Sequence, residues 1–390
     1  MNHTHIYLDH AATTPVAREV AEVMHEVHLE EFGNPSSVHS FGRKARRIID
    51  EARLTMASSI GANEKDIIFT SGGTEADNLA LVGTAMANKK NGNHVIISAQ
   101  EHHAVLHAAE FLENIGFQVT YLPVYPDGKI LISDLKAALT EETILVSVMF
   151  VNNETGVIQP IAEIGRLLAD HRAYFHTDAV QAYGLLEIDV KALGVDMLSV
   201  SAHKINGPKG IGFLYVNDNV RLQPIGYGGE QERKRRPGTE NVAAVAGFQK
   251  AVQLVVENRQ DNENKYCRYK QLFLHILREK QVDFEVNGDE NSMIASTFNL
   301  SFPGTNVETI LTNFDLAGIA ASSGSACTAG SIEPSHVLTA MYGKENERGK
   351  NSIRFSLGSY NTEENVKEAA ERIAEILLRL TRKAGDTHDR

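Results

Sequence analysis

The chain has 390 residues, of which 42% are hydrophobic and 23% charged, a composition typical of a folded globular protein and unlike that of a disordered one. Its formal net charge of −12 argues against a general nucleic-acid binder, because such binding depends largely on Lys and Arg. The longest apolar runs, such as residues 143–151, are far shorter than the ~20 residues that span a bilayer, and the N-terminus lacks the basic start and apolar core of a signal peptide. We therefore expect a cytoplasmic protein of about two domains that does not enter the membrane.

Helical and strand-like patterns alternate between residue 15 and about residue 255. The first helix is expected to begin with Thr14 as N-cap and Pro15 at its first position, and to end at Gly33. Short apolar runs, most of them followed by helical segments, are typical of buried strands and lie at residues 66–70, 94–98, 144–151, 173–178 and 197–201. This alternation predicts an α/β domain whose largely parallel sheet is covered on both faces.

The pattern changes after about residue 255. A long helix is expected to begin near Asn241, and another follows the polar stretch 258–265. A last helix is expected to open at Asn361, with Glu364 three residues on in a capping-box pattern. These features predict a second, smaller α+β domain.

Polar or glycine-rich segments follow several of the predicted strands, at the sheet edge where ligands of open α/β sheets bind. Residues 70–77, TSGGTEAD, could present helix N–H groups to an anion. Taken alone, a simple turn in which Thr74 caps the helix against Asp77 is the favoured interpretation. Asp178 ends another strand, and a buried carboxylate there needs a positive or donating partner such as a protonated pyridine nitrogen. Capping of the next helix is the alternative.

Lys204 directly follows a predicted buried strand and precedes a Gly/Pro turn. Burial lowers the pKa of a lysine and makes it nucleophilic, as in Schiff-base lysines. Lys209 lies inside that turn and is expected to be solvated. His102 and His103 follow another strand, where a histidine is more often structural; either ring could instead lie against one face of a flat cofactor.

Cys267 and Cys327 are the chain's two cysteines, so no disulfide framework is expected. Small residues and two glycines around Cys327 predict a mobile loop that exposes a thiolate, whereas Cys267, in the middle of a predicted helix, is expected to be inert. Arg354 lies in an apolar strand, where a guanidinium usually pairs with a carboxylate. That carboxylate is either an internal Asp or Glu or that of a substrate.

Taken together, these segments resemble the cysteine desulfurases of the class V aminotransferase group. The resemblance covers nearly the whole chain, from YLDHAATTP at 7–15 through GNPSS at 33–37 to the arginine strand at 351–358. The loop SSGSACT at 322–328 is similar to that of group I, the nitrogen-fixation and iron–sulfur housekeeping type. The shorter Arg-X-Gly-X-X-Cys loop of the other group is absent.

This resemblance implies the fold-type I architecture of pyridoxal 5′-phosphate transferases. The large domain, residues 15–255, would contain a mixed, mostly parallel seven-stranded sheet and bind the cofactor. A smaller α+β domain, residues 1–14 and 256–390, would carry the catalytic cysteine.

The resemblance also implies roles for matching residues. Lys204 would bind the cofactor covalently, Asp178 would bind its pyridine nitrogen, and His102, not His103, would stack on its ring. The other expected cofactor contacts are Gln181 at the ring hydroxyl, Asn153 beside cofactor and substrate, and Gly73, Thr74, Ser201 and His203 at the phosphate.

Thr239, within RRPGTEN at 235–241, matches a threonine that reaches the phosphate of a partner subunit. It therefore implies a homodimer with shared active sites. It also gives the basic run 233–236 a local role, for which a solvated loop is the alternative.

The implied reaction converts L-cysteine to L-alanine. Arg354 would hold the substrate carboxylate, Lys204 would remove the α-proton, and His102 would assist proton transfer at the thiol. Cys327 would take the sulfur as a persulfide and pass it to an acceptor protein for iron–sulfur cluster assembly or tRNA thiolation, with no metal required. The alternatives are a selenocysteine lyase or another class V aminotransferase and, more remotely, a non-catalytic scaffold of the same fold.

Overall fold

The computed structural model describes residues 5–324 and 334–385, and Cys327 lies outside them. The strands in these ranges are β1 (Ile6–Tyr7), β2 (Ile67–Thr70), β3 (His94–Ser98), β4 (Gln118–Leu122), β5 (Thr143–Ser147), β6 (Tyr174–Asp178), β7 (Met197–Ser201), β8 (Gly212–Val216), β9 (Glu285–Val286), β10 (Thr297–Ser301), β11 (Ile319–Ala320) and β12 (Ser352–Ser356).

A seven-stranded sheet organises the first two thirds of the chain, in the order β2-β8-β7-β6-β5-β3-β4. Neighbouring strands from β7 to β4 run parallel, whereas β8 is antiparallel to both β7 and β2. The connection from Ser201 to Gly212 is too short for the crossover of a dozen or more residues that a parallel neighbour needs, so β8 must reverse direction. The prediction of a mixed, mostly parallel seven-stranded sheet is confirmed.

The described helices are α1 (Arg18–Glu30), α2 (Ser40–Ser59), α3 (Gly73–Asn78), α4 (Thr84–Asn88), α5 (His103–Asn114), α6 (Ile132–Ala138), α7 (Ile161–Leu168), α8 (Val190–Leu193), α9 (Val242–Glu257), α10 (Arg259–Glu279), α11 (Val307–Leu316), α12 (His336–Tyr342), α13 (Arg348–Asn351) and α14 (Glu363–Gly385). No helix within 5–324 or 334–385 has both the length and the apolar character needed to cross a bilayer.

Helices cover the central sheet on both faces. On one face, α2, α7 and α9 pack on strand residues such as Leu198 and Val200. On the other face, α3 and α5 pack on residues such as Met197. Because successive strand residues point to opposite faces, continuous apolar strands supply both layers at once.

Two of the predicted strands, 94–98 and 197–201, have the predicted bounds, and the 144–151 strand ends early, at Ser147. Residues 148–151 are apolar because they are buried in the loop that follows β5, outside the ladder. The edge strand β4 and the antiparallel β8 were not predicted. β4 is largely exposed or half-buried along its length, so it lacks a continuous apolar run.

The first and last helices begin later than predicted. Thr14 does not cap α1; its hydroxyl donates to the His203 carbonyl and accepts from Asn206 N–H, each at 2.8 Å. Asn361 does not cap α14; its Oδ1 accepts from Gly358 N–H at 2.8 Å. In both cases the side chain is used for a tertiary contact that local spacing does not reveal. Asn241 does cap α9, as predicted.

The C-terminal third forms a second hydrophobic cluster. The antiparallel sheet β12-β10-β9 packs with α10, α11 and α14, and aromatic contacts such as Phe273 with Phe355 fill its centre. The N-terminal strand β1 pairs with β11 and joins this cluster. Helix α12 instead packs on the cluster of the seven-stranded sheet.

Candidate active site

A cavity of about 350 Å³ lies at the carboxyl ends of the parallel strands, and its size is that of a small-molecule site. It brings together the predicted site residues Gly73, Thr74, His102, Asn153, Asp178, Gln181, Ser201, His203, Lys204 and Arg354. Thr239 does not line it and is exposed. Gly324 forms part of the wall, three positions before Cys327.

Lys204 ends a single 3₁₀ turn, Ala202–Lys204, directly after β7. The half-buried amine donates to the carbonyl of Ala11 and, at 2.8 Å, to that of Ala12. The N-terminal loop thus holds the amine at the cavity. Lys209 is exposed, in agreement with its predicted place in a solvated turn.

Asp178 is the last residue of β6 and is only 5% exposed. Its Oδ1 accepts from Val180 N–H at 2.8 Å, but no α-helix begins between Asp178 and Val190. The predicted alternative, in which Asp178 caps the next helix, is therefore wrong. Burial raises the pKa of this carboxyl to about 6, although the Val180 N–H and the charge of Lys204 oppose the change. A cation placed opposite it, such as a pyridinium, would restore the ionised form.

Two further carboxyl groups lie buried beside Asp178. Burial, followed by the charge of Asp178, raises the pKa of Asp77 well above its usual range; burial also raises that of Glu101, against the Met149 N–H. Among the described residues, Asp77 Oδ1 and Glu101 Oε2 have no hydrogen-bond partner. Three such groups cannot all ionise around one lysine, which favours a single charge, on Asp178.

Asp77 and Glu101 were not predicted to take part in the site. Asp77 lies in the TSGGTEAD turn and Glu101 directly precedes His102, but neither local sequence indicates that the carboxyl is buried. His176 accompanies them: its ring lies between Ser147 Oγ at 2.8 Å and Ser199 Oγ at 3.0 Å. Burial lowers the pKa of His176 to about 3, so the ring is neutral.

His102 lines the cavity, whereas His103 turns away to contact the rings of His107 and His336. His102 caps α5, and its Nδ1 accepts from Ala104 N–H at 3.1 Å. The hydrogen of the neutral ring is therefore on Nε2. Burial and the charge of Lys204 lower the pKa of His102 to about 4, which keeps the ring neutral.

A close-packed turn joins β2 to α3 at one end of the cavity. Gly72 caps α3 at φ 152°, a conformation that favours glycine, and Thr74 lies within the first turn. The Thr74 cap, which was favoured for this segment taken alone, is therefore wrong. A Cβ on Gly73 would lie 2.8 Å from Val180 Cγ2. The free N–H groups of this turn and the nearby Ser201 hydroxyl suit a phosphate.

Arg354 extends from β12 towards the cavity and is 3% exposed. Its Nη2 donates to Asp9 Oδ1 at 2.8 Å and its Nη1 to the Asn153 carbonyl at 3.0 Å. The internal carboxylate predicted as one alternative is thus present. Arg354 Nε and Asn153 Oδ1 are buried without a hydrogen-bond partner among the described residues.

The donor set fits pyridoxal 5′-phosphate. Asp178 offers a carboxylate for the pyridine nitrogen, Lys204 an amine, His102 a neutral ring, and the Gly73 turn a phosphate cradle. Orphaned polar atoms in the cavity wall, on Asp77 and Asn153, indicate that a polar ligand belongs there. No group of three or more His, Cys, Asp or Glu side chains in the described ranges is placed to hold a metal ion.

Comparisons with known proteins agree with this chemistry. The family model "Aminotransferase class-V" matches residues 6–368. A Bacillus subtilis protein named IscS 1 is 56% identical over 376 residues, 96% of this chain and 99% of that protein. A cysteine desulfurase IscS of Clostridium botulinum is 46% identical over 95% of this chain and 94% of that protein. The solved structure of a NifS-like protein superposes with a TM-score of 0.90 at 33% identity, over 96% of this chain and 100% of that one.

Proposed function

From the premise that the chain belongs to the class V aminotransferase family and is a pyridoxal 5′-phosphate-dependent cysteine desulfurase, we propose a role for each residue of the site. We also propose which residue accepts the sulfur and which class of protein receives it. When bound, the cofactor supplies an electron sink that makes the Cα proton of L-cysteine labile. The convergence of Lys204, Asp178, His102 and Arg354 on one cavity is the observation that carries the proposal.

Lys204 binds the cofactor and, once displaced by the substrate amine, moves the proton at Cα. The carbonyl groups of Ala11 and Ala12 support this second role, because they keep the released amine beside the cavity. Asp178 holds a proton on the pyridine nitrogen. The neutral Asp77 and Glu101 support this role, since a second negative charge beside Asp178 would raise the pKa of its carboxyl and favour its neutral form.

His102 stacks on the cofactor ring and assists proton transfer at the substrate sulfur. Its neutral state supports the first role, and its Nε2 hydrogen supports the second because that hydrogen can be donated to sulfur. Arg354 binds the substrate carboxylate through its guanidinium, which Asp9 fixes at the cavity. Gln181 and Asn153 contact the cofactor and substrate, and Ser201 and His203 join the phosphate cradle.

Cys327 accepts the sulfur. Its thiolate attacks the substrate sulfur, the new S–S bond forms as the Cβ–S bond breaks, and the carbon skeleton keeps that electron pair and is protonated to alanine. The sequence position of the cysteine supports this role, as do the described residues on either side of it. Gly324, before it, lies on the cavity wall, and Ser335, after it, donates through its Oγ to the buried Glu154 carboxylate. Cys267 is exposed on the middle of α10, away from the cavity.

The chain forms a homodimer in which Thr239 completes the phosphate site of the partner subunit. Exposed apolar side chains that favour an interface are Leu29, Phe32, Val38, Phe41 and Tyr227. Phe32 and Phe41 stack on each other, with ring centroids 5.3 Å apart. The exposure of Thr239 outside the cavity of its own chain supports a role in the neighbouring subunit.

The persulfide passes to an acceptor protein in the cytoplasm, either an iron–sulfur scaffold or a tRNA-thiolation enzyme. The names of the IscS relatives support the first class of acceptor. We also propose the domain division 15–255 against 1–14 with 256–390. Two separate hydrophobic clusters support this division. Helix α12 is the exception, since it lies within 256–390 but packs on the cluster of the large domain.

Alanine and sulfide release from L-cysteine tests the assignment. Lys204→Ala is expected to abolish both products, and Lys209→Ala is its matched control. Cys327→Ser is expected to bind the cofactor and L-cysteine normally but to lose sulfide release, whereas Cys267→Ser keeps it. Full turnover by Cys327→Ser would remove Cys327 from the reaction.

A further inference from the structure

The segment before Thr239 contains a run of strained backbone. Glu232, Arg233 and Lys234 are consecutive non-glycine residues in the left-handed region, with φ of 46°, 57° and 66°. This conformation is unfavourable for L-residues with a Cβ, and it persists only where the surrounding structure determines it. Strain of this kind marks a segment whose position is important.

A buried ion pair determines this conformation. Glu232 accepts two hydrogen bonds of 2.7 Å from the Arg53 guanidinium, and the side chains are 3% and 5% exposed. Glu232 Oε2 also accepts from Phe69 N–H at 3.0 Å. Arg53 donates to the Ile67 carbonyl at 2.7 Å and lies over the Phe69 ring. The carboxylate is therefore fixed to β2, the strand that leads into the Gly72–Gly73 turn.

A second ion pair fixes the other end of the segment. Arg236 Nε donates to Glu75 Oε1 at 2.8 Å, and Glu75 Oε2 accepts from Ser71 N–H at 2.6 Å. Gly238 N–H donates to Gln231 Oε1 at 3.0 Å, which closes the loop on itself. Despite these anchors the next residue, Thr239, remains exposed. The anchors thus hold Thr239 at the surface, outside the lining of the cavity of the same chain.

We propose that Glu232, held by Arg53, is a positioning residue for the active site of the partner subunit: it fixes the loop that carries the Thr239 hydroxyl to the partner's cofactor phosphate. This inference rests on the proposed homodimer. The alternative is that Glu232 acts on its own chain, through β2 and the Gly73 turn. Dimers built from two different subunits separate these possibilities.

The first measurement is the affinity of the cofactor-free protein for pyridoxal 5′-phosphate and for pyridoxal, followed by absorbance of the bound ligand. Glu232→Gln is expected to lower the affinity for pyridoxal 5′-phosphate about tenfold, which is the scale of one hydrogen bond to a charged group. The affinity for pyridoxal, which has no phosphate, is expected to change little. Glu230→Gln, which removes an exposed pair with Lys234, is the matched control. Arg53→Lys keeps the charge without the paired geometry and gives a second, milder variant. Equal losses for both ligands would indicate a general structural defect and overturn the inference.

Two mixed dimers then locate the effect. In the first, a Glu232→Gln subunit is paired with a Lys204→Ala subunit. In the second, a subunit with both substitutions is paired with an unchanged one. Only a cavity that keeps Lys204 retains cofactor after reduction with borohydride, so retained cofactor reports that cavity alone.

The first mixed dimer is expected to bind the cofactor as the unchanged protein does, because the Thr239 loop facing its intact cavity comes from a subunit with Glu232. The second is expected to show the tenfold loss. The reverse pattern places the effect within one chain and overturns the inference while leaving the homodimer intact. A monomer in light scattering would overturn the homodimer and this inference together.

Discussion

Arg354 Nη2 donates to Asp9 Oδ1 at 2.8 Å, although the two residues are 345 positions apart in the chain. The pair joins β12 to the N-terminal segment at the cavity and fixes the plane of the guanidinium. Nη1 donates to the Asn153 carbonyl at 3.0 Å, so two protein groups hold the guanidinium at the cavity. The substrate contact proposed for Arg354 would therefore depend on Asp9, a residue that does not line the cavity.

Asp9→Asn is expected to raise the KM for L-cysteine about tenfold, because the guanidinium loses a charge-assisted hydrogen bond that orients it. Cofactor affinity is expected to stay unchanged, since Asp9 does not line the cavity. Steady-state alanine release and a cofactor titration measure the two quantities. Asp50→Asn, which breaks an exposed pair with Arg46, is the control. A KM equal to that of the unchanged protein would show that Arg354 needs no such support.

Asp178→Asn is expected to have opposite effects on stability and on cofactor binding. Burial raises the pKa of Asp178 from 3.8 to about 6, so its contribution to folding is present below pH 3.8 and is lost as the pH rises through 6. The substitution should therefore stabilise the cofactor-free protein by about 3 kcal/mol at pH 7.5 and have little effect at pH 4. Cofactor binding should weaken, because the pyridine nitrogen loses its counter-ion.

Urea denaturation and cofactor titration between pH 4 and 8 measure both effects of Asp178→Asn. The phosphate of the cofactor titrates in the same pH range, but equally with both proteins. The ratio of the two cofactor affinities therefore reports the effect of the Asp178 carboxylate alone. Asp170→Asn, on the exposed surface, serves as the control. Loss of stability at pH 7.5 would mean that the carboxylate is stabilised in the empty cavity.

His176→Asn tests the buried neutral ring. Because burial lowers the pKa of His176 to about 3, its contribution to stability is present above pH 6.5 and decreases by roughly 1.4 kcal/mol per pH unit below that value. The variant should be less stable at pH 8, where two serine hydroxyls lose their partner, and the difference should shrink towards pH 5. Urea denaturation at several pH values measures this, with the exposed His107→Asn as control. A difference independent of pH would contradict a neutral buried ring.

The sequence identified most of the cavity because parallel strands end at one edge of a sheet. Asp178 and Lys204 each lie at or just after the carboxyl end of a predicted strand, and this position placed both at one edge of the sheet. The role of Ser201 came from the family resemblance. The same logic failed at residues 148–151, which are apolar because they are buried in a loop. Apolar composition reports burial, and only hydrogen-bond pairing distinguishes a strand from a buried loop.

Long-range pairings were beyond local patterns. Nothing near Arg354 indicates that its partner is Asp9, and nothing near Asp77 indicates that its carboxyl is buried beside Asp178. Thr14 illustrates the same limit: its spacing is that of a helix cap, but its hydroxyl binds the turn that carries Lys204. Such contacts depend on where the chain returns, which the tertiary fold decides.

Gly73→Ala tests the close packing of the phosphate cradle. The added Cβ would lie 2.8 Å from Val180 Cγ2, so either the turn must shift away from the loop that follows β6 or Val180 must move. We expect a loss of stability of about 1–3 kcal/mol. The affinity for pyridoxal 5′-phosphate should fall more than the affinity for pyridoxal. Val180→Ala removes the obstructing methyl group, so the double variant Gly73→Ala/Val180→Ala should recover most of the affinity. If the double variant remains as weak as Gly73→Ala, the phosphate needs the bare glycine backbone itself, and the methyl contact is not the cause.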